Sequence, residues 1–172
     1  MTDATFEEGR ERPLRLVARD AADLRVISAL LQDAVMTGAD LRFDARRRRF
    51  SLLVNRFRWE DRTRAAARGG DFERVRAVLD FADVRGARHQ GLDGRDPDTV
   101  LSLLAIGWEP AADAASEDLN EGPQVAGPGC VTLVFSGDGV LALDVECLEV
   151  ELRDVTRPYV APSRRAPAHR ID

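Results

Sequence analysis

Residues 41–61 read LRFDARRRRFSLLVNRFRWED, and the way this stretch pairs with itself decides the fold class. Side chains alternate between the two faces of a strand, so Leu41 and Phe43 share one face while Phe50, Leu52 and Val54 share another. Pairing Phe43 with Phe50 joins these faces and leaves residues 45–48 as a four-residue hairpin loop. A two-residue loop would force positive φ on Arg46 and Arg47, which is costly for side chains of that size. The four-arginine run is therefore expected at a hairpin tip. Beyond Val54 the alternation slips, because Phe57 and Trp59 fall on the opposite parity. A bulge near Asn55, or burial on both faces, would account for the slip.

Residues 130–154, CVTLVFSGDGVLALDVECLEVELRD, carry a second hairpin. A two-residue loop at Asp138 and Gly139 would set Cys130 opposite Cys147 but mix polarity on both faces. A three-residue loop over 137–139 pairs Ser136 with Val140. It gathers Val131, Leu133, Phe135, Leu141, Leu143, Val145 and Cys147 on one face, and suits a type I turn with a glycine bulge. The second register is expected, with the cysteines on opposite faces and no disulfide.

Leu14, Leu16 and Ala18 alternate with Arg15, Val17 and Arg19 as a short first strand. Asp20 then suits a helix N-cap, with Asp23 in the first turn. Leu24, Ile27, Leu31 and Val35 follow at helical spacing, and Gly38 suits a C-terminal cap, so an amphipathic helix is expected from Asp20 to Thr37. Val75, Ala77, Leu79 and Phe81 mark another strand, and residues 100–108, VLSLLAIGW, a buried one. Residues 61–72 and 85–99 read as polar loops, 109–129 as an acidic flexible loop, 1–12 as a flexible tail and 156–172 as a Pro/Arg-rich tail. The expected fold is α+β: a single domain over 13–155, with a largely antiparallel sheet of about seven strands and one amphipathic helix packed on it.

All 25 basic side chains of this 172-residue chain are arginine. Arginine is always charged and a poor general base, whereas lysine can form Schiff bases or cradle a nucleotide phosphate. The net charge of −5 hides an asymmetry: residues 42–68 hold ten arginines against three acids, and 109–154 hold eleven acids against one arginine. The overall acidity disfavours nucleic acid as a partner, since it repels polyanions at long range. No apolar run approaches the ~18–20 residues that cross a bilayer, and the acidic N-terminus is no secretory signal. A cytoplasmic protein with reduced cysteines and no membrane association is expected.

Little catalytic inventory remains. Two cysteines 17 residues apart and one internal histidine give no metal-ligand spacing. The carboxylates of 93–98 do not match a calcium loop. Ser136 sits in a turn followed by a strand rather than in a nucleophile elbow, and no glycine-rich nucleotide motif occurs. No catalytic residue, metal or cofactor is therefore assigned. Two features could bind a ligand. Arg56, Arg58 and Trp59 interleave arginine with an aromatic, as base-stacking strands do, although an alternating strand with Phe57 and Trp59 inward produces the same pattern without a ligand. Arg88 and His89 lie in a polar segment past a strand end, and His89 could titrate near neutral pH.

The segments RLVARDAADLRVISALLQDAVM, RFSLLVNRFRWED, RVRAVLDFADVRGARHQGLD and GCVTLVFSGDGVLALDVECLEVELRDV together resemble a small alphaproteobacterial family of unknown function, over roughly residues 13–160. The resemblance implies a bacterial, cytoplasmic, stand-alone domain and no residue roles. The leading functional reading is a non-catalytic protein-binding or accessory domain, whose partner is another protein or a second copy of itself. The alternatives are a binder or enzyme for a small anionic ligand, using Arg56, Arg58 and His89, and nucleic-acid binding through the arginine-rich hairpin.

Overall fold

A computed structural model describes residues 13–61, 67, 72–92, 97–112 and 126–160. Among the described residues, eleven antiparallel strands form one continuous curled sheet: β1 Arg15–Ala18, β2 Val35–Thr37, β3 Leu41–Asp44, β4 Arg49–Phe57, β5 Glu73–Phe81, β6 Val84–Gln90, β7 Val100–Pro110, β8 Gly129–Phe135, β9 Val140–Val145, β10 Val150–Asp154 and β11 Tyr159–Val160. The order is β1-β10-β5-β4-β2-β7-β8-β9-β6, with β3 alongside β4 and β11 alongside β5. The antiparallel sheet with one helix, α1 (Ala21–Leu30), matches expectation; eleven strands replace about seven. The concave face holds the core, in which Leu52, Leu79, Leu133, Leu143 and Leu152 are fully buried.

The helix is shorter than its apolar periodicity suggests. Asp20 caps it by accepting from the Asp23 backbone N–H at 2.8 Å. Asp33 then adopts φ +62, which turns the chain out of the helix, and Val35–Thr37 join β7 as β2. Val35 is thus a strand residue that happens to fall on the helical stripe, and Gly38 opens a 3-10 turn. The helix packs between β1 and β7, where the Ser28 hydroxyl accepts from the Ile106 N–H at 2.9 Å.

The β3–β4 hairpin has the expected register, Phe43 opposite Phe50 and Asp44 opposite Arg49, with Arg48 taking the left-handed position at φ +54. No bulge interrupts β4, whose pairing with β5 runs unbroken from Phe50↔Phe81 to Phe57↔Arg74. Burial on both faces explains the slipped pattern: Arg56 and Phe57 are both buried. In the β8–β9 hairpin the faces are as expected but the register is shifted by two residues, with Val134 opposite Val140 and a longer loop. Ser136 does not pair with Val140; its N–H donates to Ser102 O of β7 instead. Gly137 (φ +76) and Asp138 (φ +66) then turn the chain within a five-residue loop. A shift of two preserves parity, so both cysteines stay free.

Three further expectations change. Residues 84–90 are a strand rather than loop, since β6 pairs with β9 from Val84↔Val145 to Gln90↔Val140. Strand β7 is buried on one face only: Leu103 and Ile106 are inside while Leu104 is 41% exposed. Glu109 and Pro110 belong to β7, Gly129 to β8, and Tyr159–Val160 of the expected tail pair with β5. The tail at 1–12, the central part of the acidic loop (113–125), most of the 61–72 loop, residues 93–96 and residues 161–172 lie outside the described residues. Among the described residues no helix is long and apolar enough to cross a membrane.

Candidate functional site

The candidate residues fall into two groups at opposite ends of β4. Arg56, Arg58 and Trp59 come together at its C-terminal end. Arg88 and His89 lie on β6, which crosses near the N-terminal end of β4, where the Val84 N–H donates to Arg48 O at 2.8 Å. Phe50, which shares a cleft with His89, is six residues from Arg56, roughly 20 Å along a strand.

The Arg56 guanidinium is fully buried. Its Nε and Nη2 donate to the Asp154 carboxylate at 3.0 and 2.9 Å, and Nη1 and Nη2 donate to Glu60 at 2.9 and 2.7 Å. Asp154 Oδ2 also accepts from the Leu14 N–H at 3.1 Å. One arginine thereby joins β4, the turn after it, β10 and the start of β1. Burial opposes the Arg56 charge, but the hydrogen bonds it donates to Glu60 and Asp154 outweigh this and hold the pKa above arginine's usual value. Burial likewise opposes the Glu60 charge, and the hydrogen bond and charge of Arg56 reverse this, pulling the Glu60 carboxyl below its usual range.

Arg58 is committed in the same way: it pairs with Glu73 and lies 3.7 Å from Asp61. Trp59 packs edge-on against Phe57 at 4.6 Å between ring centroids, and its indole N–H donates to Gln32 O at 3.0 Å. The two guanidinium groups are held by carboxylates and the indole is an anchor. Chemically this cluster is a clamp between elements.

The second group lines an open apolar cleft of about 530 Å³. Leu41 and Phe43 reach into it from β3, Phe50 from β4, Ala87 and His89 from β6, and Leu141 from β9. Sequence patterning pairs Phe43 with Phe50 and sets both on one face. Because the cleft is open, however, Phe43 stays 38% exposed and stacks on Phe50 at 6.1 Å. The signal that was missing is β6, whose polar composition hides a strand. His89 belongs to the cleft wall, whereas Arg88 points to the outer face and pairs with Asp144 at 3.2 Å. Among the described residues no cluster of metal-ligating side chains occurs.

The thiols differ in setting. Cys147 Sγ donates to Asp83 Oδ2 at 2.9 Å. This hydrogen bond, with burial and the nearby carboxylates, pushes its pKa up to about 11. Since the thiolate is the reactive form, Cys147 should be alkylated at pH 8 roughly 100-fold more slowly than an ordinary thiol. Timed iodoacetamide labelling followed by mass spectrometry measures this, and Asp83→Asn should accelerate it.

No curated protein and no solved structure matches the chain. A family model described as a protein of unknown function (DUF2948) matches residues 14–169, a span that takes in α1 and every strand of the curled sheet. The chain belongs to this DUF2948 family of proteins of unknown function.

Proposed function

We propose that the domain is a non-catalytic protein-binding module that works in the cytoplasm and holds its partner in the cleft between the β3–β4 hairpin and β6. The observation that carries this reading is the cleft itself: about 530 Å³, open to solvent and walled largely by Leu, Phe and Ala side chains. A concave apolar surface with a few polar groups on its wall is the usual form of a recognition site. The anionic-ligand alternative loses support because Arg56 and Arg58 are already paired with carboxylates, far from His89. The nucleic-acid alternative is weakened because two hairpin arginines, Arg48 and Arg49, are paired with Glu146 and Asp80.

The test is paired affinity capture with three baits: wild type, Phe43→Asp in the cleft, and Val26→Asp on the exposed face of α1, followed by binding of the purified partner. One protein, or a second copy of this chain, should be held by wild type and Val26→Asp and lost by Phe43→Asp. Equal recovery on Phe43→Asp, or no specific partner for wild type, would overturn the reading.

A further inference from the structure

We infer that the cleft takes its partner as an added β-strand: an extended segment that pairs with the free edge of β6, places alternate apolar side chains in the cleft, and carries carboxylates at the end nearest the β3–β4 hairpin tip. This rests on the binding reading above and names what that site recognises.

Three observations carry it. First, β6 is the last strand of the sheet and pairs with β9 alone among the described strands. An unpaired edge presents a row of N–H and C=O groups that a further strand satisfies. Second, the cleft walls have the strand repeat. Ala87, which is half-buried, and His89, which is exposed at the rim, lie two residues apart on β6 and line the cleft, as do Leu41 and Phe43 on β3, whereas Arg88 and Gln90 do not line it. A strand lying between would set every second side chain among Phe43, Phe50 and Leu141. Third, the charge at one end is unbalanced. The start of β6 meets the hairpin tip at Arg48 O. There Arg48 is matched by Glu146 and Arg49 by Asp80, but Arg46 at the tip and Arg85 at the start of β6 have no carboxylate partner among the described residues. Acidic residues in the partner supply the complement.

The probe is the peptide acetyl-EEVTVTVS-amide, titrated into the ¹⁵N-labelled full chain. Twins carry N-methyl groups at odd or at even positions, a further variant has arginine in place of both glutamates, and the apolar dye ANS stands for a small-molecule occupant. The unmodified peptide should shift the cleft resonances and slow amide exchange within residues 85–90 by at least on the order of tenfold. One N-methyl twin should lose binding, because it blocks the paired edge, and the arginine variant should bind more weakly. If both twins bind as well as the parent with no slowing in β6, strand addition is overturned while the cleft reading stands. If only ANS binds, or no peptide shifts the cleft resonances, strand addition is likewise overturned, and the Phe43→Asp capture decides the cleft reading separately.

Discussion

Replacing Arg56 by alanine should lower the unfolding free energy by about 3–5 kcal/mol, because it leaves Asp154 buried and unpaired within the fold. The Asp154 side chain is only 7% exposed, and Arg56 supplies two of its hydrogen bonds. Arg56→Lys should cost less than alanine but still register, since an ammonium lacks the planar fork that grips two carboxylates at once. Arg58→Ala, at a more exposed pair, should cost less than Arg56→Ala. Urea unfolding midpoints measure all three, and an Arg56→Ala midpoint within error of wild type would refute the clamp. The same cluster sets an acid limit. Glu60 has a folded pKa below its unfolded value, so its contribution is complete above the unfolded pKa and is lost as pH falls through the folded one. Arg56 stays charged throughout. The urea midpoint should therefore drop as pH is lowered from about 5 toward 3, and Glu60→Gln should flatten that drop.

Phe57→Ala should cost a similar amount, about 3–5 kcal/mol, by opening a cavity between Trp59 and Phe72. Phe57 is 1% exposed and lies on the opposite sheet face from Val54, with ring centroids 4.6 Å from Trp59 and 5.5 Å from Phe72. A small satellite core thus sits on the convex side of the sheet. Trp59→Ala should cost less, because Trp59 is only partly buried. Thermal or urea unfolding of the two variants side by side checks the order, and the reverse order would mean that Trp59 is the keystone.

What the chain discloses about itself follows local chemistry. The β3–β4 register was legible because two aromatic faces and four bulky arginines leave one cheap loop. The β8–β9 faces were legible by parity. Their register was not, because Ser136 is recruited by Ser102 of β7, and that pairing is invisible along the chain. Helix α1 was legible at its start, where Asp20 caps it locally. Its end was hidden, because Val35 suits both a helical stripe and a strand. Strand β6, VRGARHQ, was missed because an edge strand needs few apolar residues. The cleft was missed with it, since His89 becomes a wall residue only once β6 crosses the hairpin. Arg56 was noticed for its charge, but its partner Asp154 lies 98 positions away, and only the sheet order β10-β5-β4 brings them together.

That sheet order also bears on how the chain reaches its native state. Among the described strands β1 pairs with β10 alone, and Leu14 meets Asp154 across 140 positions. Pairings of such high contact order come late and slowly, because a large loop must close before any contact rewards it. Until β10 emerges from the ribosome, β5 lacks one of its neighbours and β1 has no strand to pair with. An interrupted translation product is therefore a sticky, edge-exposed species, the kind that chaperones shield and proteases clear.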